Sequence, residues 1–218
     1  MEEQGGIKRT EVISLNRAGG FEKAVDEAGR VLRSGGLVAY PTESVYGLAV
    51  DATNEKGIER VFSLKKRPLT RPILILVSSL DMLGRYVADI PPIAHGLIKE
   101  FWPGGLTLVF RADPAVSPLL HAGSGKIAAR LSSHPFVRGL VMSLGNPITG
   151  TSANISGQSA CRNAQEVLSF FEDKVDLIVD GGTCAESRGS TILDVTVDPP
   201  KILREGMVDK DRLNLISR

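Results

Sequence analysis

Apolar side chains recur every three or four residues in several stretches of the chain, and this spacing predicts amphipathic helices. The clearest stripe runs from Phe21 to Leu32 and ends at Gly35-Gly36, because glycines interrupt helices. A second helix should begin after Asn54, whose side chain is a good N-terminal cap. The other predicted helices are Leu80–Val87, one from Pro91-Pro92 to about Trp102, His134–Leu144, and one that starts at the capping-box pair Asn163 and Glu166.

Short apolar runs between these helices predict β-strands. A continuous run without polar alternation, such as Ile73–Val77, indicates a strand that is buried on both faces. The predicted strands are Glu11–Leu15, Gly36–Tyr40, Ile73–Val77, Leu106–Arg111, Lys126–Leu131, Leu177–Asp180, Thr191–Val197 and Ile202–Leu203. Because strands and helices interleave without a regular βαβ period, we predict a single α/β domain with a twisted mixed β-sheet and flanking helices.

Composition and charge limit the classes of protein to which this chain can belong. A chain of 218 residues with 42% hydrophobic and 23% charged side chains is typical of one globular domain. The net charge of +1 gives no global basic field, so any binding of nucleic acid has to be local. Since no apolar run reaches ~18 residues and residues 1–4 do not resemble a secretory signal, we expect a cytoplasmic protein without a membrane segment.

The helix after Asn54 ends in a strongly basic sequence. Its apolar face consists of Ile58, Val61 and Phe62. Lys65 continues that face, so it should point inward, whereas Lys66 is turned about 100° away. Arg67 precedes a proline, which favours an extended backbone at this position. Lys65 pointing inward and Arg67 in the extended turn predict a small cationic pocket. Alternatively, these cations only complement the negative end of the helix dipole and stay solvated.

Hydroxyl and amide side chains follow two of the predicted strands. Thr42 and Ser44 come directly after Gly36–Tyr40, and the run 151–154 (TSAN) follows a second apolar stretch. Open α/β sheets present binding sites at strand ends, so these groups indicate a pocket for a phosphate or a carboxylate. The alternative is a hydroxyl-rich turn whose side chains bond only their own backbone. Donors and positive charge without an evident nucleophile or general base suit phosphoryl or nucleotidyl transfer.

Several familiar kinds of site are unfavourable in this sequence. Residues 123–126 (GSGK) resemble part of a phosphate-binding loop, but Ile127 stands where serine or threonine belongs, and a strand should follow. The three histidines and the cysteines Cys161 and Cys184 lack the spacing of a zinc site or a disulfide framework. We therefore expect no metal ligands from protein side chains.

Three motifs together resemble the YrdC-like family, in which threonylcarbamoyl-AMP synthase is the best-known activity. They are residues 40–48 (YPTESVYGL), Lys65-x-Arg67-Pro68 and residues 151–157 (TSANISG). The resemblance covers roughly residues 20–206 in consistent order. It implies a YrdC-like fold, with residues 1–20 as a tail and first strand, 21–206 as the domain and 207–218 as a C-terminal extension.

The resemblance also implies roles for individual residues. Positions that match the family's ATP site are Lys65, Arg67, Ser152, Asn154 and Arg204, of which Lys65 and Arg67 would be catalytic. Positions that match its threonine site, or lie in the same motif, are Thr42, Ser44, Tyr46, Arg130 and Ser190. Without the resemblance, Arg130 could be a solvated side chain at the end of a strand. Arg204 could simply pair with Glu205, and Ser190 could be only a turn residue.

The implied reaction joins L-threonine, bicarbonate and ATP, accompanied by Mg²⁺, into threonylcarbamoyl-AMP and pyrophosphate. Its product would pass to downstream tRNA threonylcarbamoyl-transferase proteins, with a possible direct contact to tRNA. Leu76, Arg71 and Ala160 depart from residues common in the family, which are histidine, asparagine and serine respectively. A paralogous branch typically lacks the Lys-x-Arg and Ser-x-Asn residues, so their presence favours the synthase.

Two other functions stay open at this stage. The first is a module that binds double-stranded RNA or assists ribosome maturation, in which the basic run 65–71 would contact phosphates. The near-neutral net charge and the small number of aromatic residues speak against it. The second is a handler of carbamoyl-adenylate, like the related domain of hydrogenase maturation proteins, but the segments that accompany that domain are not evident in this sequence.

Overall fold

A ten-stranded sheet with helices packed on it forms the described part of a computed structural model, which covers residues 9–185 and 188–216. The strands are β1 (Glu11–Ser14), β2 (Val38–Tyr40), β3 (Gly47–Ala49), β4 (Leu74–Leu76), β5 (Leu106–Arg111), β6 (Lys126–Arg130), β7 (Ile148–Ser152), β8 (Leu177–Asp180), β9 (Thr191–Asp194) and β10 (Lys201–Arg204). The helices are α1 (Gly20–Arg33), α2 (Glu55–Lys65), α3 (Leu80–Leu83), α4 (Pro92–Phe101), α5 (Pro118–His121), α6 (Pro135–Leu144), α7 (Ala164–Phe171) and α8 (Lys210–Ile216).

The strand order is β1-β8-β2-β3-β7-β4-β6-β5-β9-β10, and the sheet mixes parallel with antiparallel neighbours. Parallel pairs are β1–β8, β2–β8, β4–β6 and β5–β9, while the other neighbours run antiparallel. This confirms the predicted α/β fold with a mixed sheet. The antiparallel strands β3 and β7 lie between the parallel group β1-β8-β2 and the parallel pair β4-β6, so the loops at their ends meet near the middle of the sheet.

Local sequence signals account for the helix that leads to the basic segment. The Asn54 side chain accepts a hydrogen bond from the Gly57 N–H at 3.1 Å, so the predicted cap is confirmed. Ile58, Val61 and Phe62 are buried in the core, as the stripe predicts. Lys66 ends the helix with a left-handed φ of 50°. The helix therefore stops one residue after Lys65 and delivers the chain into the turn that carries Arg67.

Some predicted elements differ from the structure. The helix predicted at Leu80–Val87 ends at Leu83, and the strand predicted to reach Val197 ends at Asp194. Strand β3 was not predicted, because it is only three residues long and follows a polar loop. The short helix α5 and the C-terminal helix α8 were also missed. Most of the predicted N-terminal tail falls on residues 1–8, which lie outside the described residues.

Candidate active site

A cavity of about 810 Å³ lies over one face of the central strands. Alternate residues of several strands line it, as expected where side chains point to opposite faces with a period of two. On β4 these are Leu74 and Leu76, on β6 Lys126, Ala128 and Arg130, and on β9 Ile192 and Asp194, while at the end of β7 the consecutive residues Gly150, Thr151 and Ser152 all line it. The residues between them, such as Ile75 and Ala129, are fully buried on the opposite face. The volume is in the range of small-molecule sites.

Basic side chains dominate the walls of the cavity. In the described part of the chain they are Arg67, Lys126, Arg130, Arg162 and Arg204, against the single carboxylate of Asp194. Asp194 is itself paired with Lys126, whose Nζ lies 2.9 Å from its Oδ2. Burial alone would raise the pKa of Asp194, but hydrogen bonds from Thr196 and Lys126 hold it below its usual value. The remaining positive charge favours an anionic ligand.

Lys65 and Lys66 differ as predicted from the helix period. The Lys65 side chain is only 1% exposed, whereas Lys66 is exposed to solvent. The Lys65 ammonium donates hydrogen bonds to the carbonyl of Ser152 and, at 2.9 Å each, to the carbonyl and Oδ1 of Asn154. An ammonium has three N–H donors, so these acceptors use all of them.

This geometry differs from the expectation that Lys65 faces the cavity. Lys65 lies behind the wall that Ser152 forms and does not line the cavity itself. Its own carbonyl accepts a hydrogen bond from the Ser156 N–H at 2.8 Å, so both its backbone and its side chain hold the loop 152–156. Burial, together with the charge of Arg67, lowers the pKa of Lys65 to about 8. Lys65 therefore shapes the loop through a buried charge.

Arg67 does line the cavity, at the turn after α2. Its Nε and Nη2 donate to the carbonyls of Arg71 and Pro72, at 3.2 and 2.7 Å. These bonds fix the half-buried guanidinium while leaving other N–H groups for a ligand. Burial, and then the charge of Arg71, lower the pKa of Arg67. Of the three positions that depart from the family, Leu76 and Ala160 line the cavity, while Arg71 is exposed.

The loop between β2 and β3 carries the hydroxyl cluster. Thr42 and Ser44 are both buried, and their hydroxyl oxygens lie 3.2 Å apart. Thr42 Oγ1 donates to the Val45 carbonyl at 2.7 Å and accepts from the Ser44 N–H at 3.1 Å. The Thr42 hydroxyl thus shapes its own turn, which is the alternative that the sequence left open, while both residues also line the cavity.

Tyr46 closes the same loop against β8. Its hydroxyl donates to the Gly182 carbonyl at 2.8 Å and accepts from the Gly181 N–H at 3.1 Å. Burial raises the pKa of this hydroxyl, so it stays protonated and keeps both bonds. The ring lines the cavity although the hydroxyl is engaged elsewhere.

Arg204 and Ser190 form a second cluster near the sheet edge. The Arg204 guanidinium donates to the Ser190 carbonyl from Nε and Nη2, at 3.1 and 2.7 Å, and to Ser190 Oγ at 3.1 Å. Ser190 Oγ also lies 2.8 Å from Thr107 Oγ1. Burial, and then the nearby charge of Arg130, lower the pKa of Arg204. The two arginines therefore lie close to each other at one end of the cavity.

Sequence reasoning missed three residues around this site. Lys126 and Asp194 line the cavity from adjoining parts of the sheet, and Glu43 contacts Arg130. Lys126 was noted only as part of an unfavourable phosphate-loop match, and Glu43 only as a member of the family motif. Their partners are more than 60 residues away along the chain, so no local spacing could have paired them.

The fold and the cavity define the class of site: an open α/β sheet whose mainly basic cavity suits an anionic ligand. Described residues hold no group of three or more side chains that could bind a metal ion, and none of the described helices is long and apolar enough to span a membrane. A model of the Sua5/YciO/YrdC family, which carries the description "Telomere recombination", matches residues 30–206. The chain belongs to this family.

Curated relatives share a third or more of their aligned residues with the chain. Threonylcarbamoyl-AMP synthase of Pyrococcus abyssi is 38% identical over 175 residues, which are 80% of this chain and 52% of the relative. The protein of the same name from Bacillus subtilis is 34% identical over 208 residues, which are 95% of this chain and 59% of the relative. The chain thus spans between half and three fifths of the length of these relatives.

Solved structures match the fold closely. The crystal structure of P. abyssi Sua5 complexed with L-threonine superposes with a TM-score of 0.88 at 33% identity, covering 95% of this chain and 60% of that one. E. coli YciO gives a TM-score of 0.83 at 26% identity, covering 92% of this chain and 97% of that one.

Proposed function

We propose that this chain is a threonylcarbamoyl-AMP synthase, a nucleotidyltransferase that uses L-threonine, bicarbonate and ATP. The observation that carries the proposal is one cavity in which fixed arginines and buried hydroxyls meet over a single sheet face. Its similarity to proteins named threonylcarbamoyl-AMP synthase, one of them solved with L-threonine, supports the choice of substrates.

The reaction we propose has two steps. The amine of L-threonine attacks the carbon of bicarbonate, water leaves, and a carbamate forms. A carbamate oxygen then attacks the α-phosphorus of ATP, the bond from that phosphorus to the bridging oxygen breaks, and pyrophosphate leaves. No protein nucleophile is needed, so positioning and charge stabilisation can supply the catalysis.

For the amino acid we propose Arg130, with the hydroxyls of Ser44 and Ser190 beside it. Arg130 is 6% exposed and lines the cavity, and an arginine in such a position suits a carboxylate. Thr42 and Tyr46 would act mainly by shaping the loop, because their hydroxyls are engaged with backbone groups.

For the nucleotide we propose Arg67, Ser152 and Arg204 as contacts from the cavity wall. Asn154 and Lys65 would act behind them by holding the loop at 152–156. Mg²⁺ would enter as part of the Mg–ATP substrate and would neutralise phosphate charge. Its ligands would come from the triphosphate and water, since Asp194 is already paired with Lys126.

The proposal extends to location and partners. Cys161 and Cys184 are free and buried, which suits a reducing compartment such as the cytoplasm. Threonylcarbamoyl-AMP is a reactive mixed anhydride, so we propose that a downstream tRNA threonylcarbamoyl-transferase consumes it. A direct contact with tRNA stays a prediction, for which the exposed Lys66 and Arg71 are the candidate residues.

Pyrophosphate release tests the proposal. With Mg–ATP present, we expect release only when L-threonine and bicarbonate are both added, because their adduct is the nucleophile. Omission of either one should reduce the rate to the background of ATP alone. Equal release with ATP alone would contradict the mechanism.

A further inference from the structure

Glu43 carries a nearly buried carboxylate that lies beside the cavity. Its side chain is 12% exposed, and that of its partner Arg130 is 7% exposed. Glu43 Oε1 lies 3.3 Å from Arg130 Nη2, an ion pair within the wall of the site. Glu43 itself does not line the cavity, although its neighbours Thr42 and Ser44 do.

A chain of hydrogen bonds fixes this carboxylate from behind. Ser132 Oγ donates to Glu43 Oε2 at 2.7 Å, and Ser132 Oγ accepts from the His134 N–H at 3.2 Å. Ser132 is 1% exposed, so water does not replace it in this role. These bonds connect Glu43 to His134 at the N-terminal cap of α6, and the other oxygen of Glu43 forms the ion pair with Arg130.

Arg130 has one N–H donor that no protein group in the described part of the chain uses. Its Nε is buried and has no hydrogen-bond partner in the described residues, although the side chain lines the cavity. Its charge is close enough to Arg204 to help lower the pKa of Arg204. Without a nearby carboxylate, the buried Arg130 guanidinium would have only the repulsion of Arg204 beside it and would be held less firmly in place.

We propose that Glu43 is a positioning residue, which holds the Arg130 guanidinium at the cavity wall so that it can bind the α-carboxylate of the amino acid substrate. This inference rests on the proposed function for the identity of that substrate. It assigns Glu43 an effect on amino acid binding through Arg130, and no contact with the nucleotide.

Calorimetric titration of the full chain tests whether Glu43 affects the binding of the amino acid without affecting that of the nucleotide. L-threonine and, separately, Mg–ATP are titrated into wild type, Glu43→Gln and Glu43→Asp, and L-threonine amide is used as a competitor that lacks the carboxylate. Glu100→Gln is the matched control, because Glu100 forms an exposed ion pair with Arg212 outside the cavity. Thermal unfolding is recorded for each variant.

We expect Glu43→Gln to weaken L-threonine binding roughly tenfold or more, because Arg130 loses the charged partner of a nearly buried ion pair. In the same variant, binding of Mg–ATP and of L-threonine amide should change less than about twofold. Glu43→Asp should recover part of the lost threonine affinity. Glu100→Gln should bind all ligands as the wild type does. If Glu43→Gln does not fold, Ser132→Ala carries the test, with the same selective loss expected.

Three results would overturn the inference. They are unchanged threonine binding in the folded variant, an equal loss for L-threonine and its amide, and an equal loss for ATP. If the wild type binds no L-threonine, the proposed function fails first, which the wild-type titration alone reveals.

Discussion

At the scale of single residues, the position of Lys65 is unusual because a charged side chain occupies the core-facing stripe of α2. Three oxygens from the loop at 152–154 surround its ammonium. A buried charge of this kind is tolerated only when its donors are satisfied. We therefore interpret Lys65 as the group that fixes Ser152 and Asn154 at the cavity wall.

Lys65→Met should reduce synthase turnover roughly 10- to 150-fold, because a hydrogen-bonded charge that holds the nucleotide loop is lost. Lys66→Met at the next position should stay within about twofold, since an exposed lysine contributes little. Pyrophosphate release and thermal unfolding of the two variants, measured side by side, check this. Equal activity in both would mean that the buried charge of Lys65 does not hold the loop for catalysis.

The same residue predicts a pH dependence of stability. Lys65 keeps its proton up to about pH 8 in the folded state, below the ordinary 10.5 of the unfolded chain. Between these values the unfolded chain binds more protons, so the contribution of Lys65 to the free energy of unfolding rises with pH. The difference between wild type and Lys65→Met should grow by about 2 kcal/mol from pH 8 to 9.5 in urea unfolding. A constant difference would contradict the burial of a charged Lys65.

At the scale of elements, the sequence predicts those helices and strands whose bounds depend on neighbouring residues in the chain. The cap at Asn54, the stripe of α2 and the uninterrupted apolar run that forms β4 were all evident in the sequence. Strand β3 was not, because three residues give no period, and its pairing with β2 and β7 decides its conformation. The end of α3 at Leu83 likewise reflects Gly84, a residue that the apolar pattern ignores.

The β2–β3 hairpin depends on glycine at position 47. A Cβ added there would lie 2.7 Å from Cζ of the buried Tyr40 ring, which is closer than van der Waals contact allows. Gly47→Ala should therefore cost about 1–3 kcal/mol of unfolding free energy through overpacking. In Gly139→Ala, on α6, the new methyl meets only ordinary contacts at 3.4 Å or more, so we expect up to about 1 kcal/mol of stabilisation. Denaturant unfolding of both variants decides this, and an unaffected Gly47→Ala would contradict the packing described here.

At the scale of the whole molecule, the site depends on contacts between distant parts of the chain. The motifs at 40–48, 65–68 and 151–157 were visible in the sequence, and the structure brings the first to the cavity with parts of the others. Their relation to Glu43, Lys126 and Asp194 was not visible, because it arises from strand order. The direction of Lys65 was predictable from the helix period, but the loop that captures its ammonium was not.

The segment after β10 supports the far end of the cavity. The Met207 N–H donates to the Gly189 carbonyl at 3.0 Å, and Thr191 Oγ1 exchanges hydrogen bonds with Val208. A Cβ at Gly206 would collide with the Gly189 carbonyl oxygen and lie 2.6 Å from the carbonyl carbon of Ser190, and backbone atoms cannot yield cheaply. Gly206→Ala should displace Ser190 and lower both thermal stability and amino acid affinity. Wild-type threonine affinity in this variant would show that the segment does not support the site.

The formation of the adenylate itself tests the central claim most directly. The chain is incubated with Mg–ATP, L-threonine and ¹³C-bicarbonate, and the products are resolved by mass spectrometry. We expect a species with the mass of threonylcarbamoyl-AMP that contains one ¹³C, equimolar with pyrophosphate and absent when threonine is omitted. Pyrophosphate without that labelled product, or a threonine adenylate that lacks the label, would contradict the account.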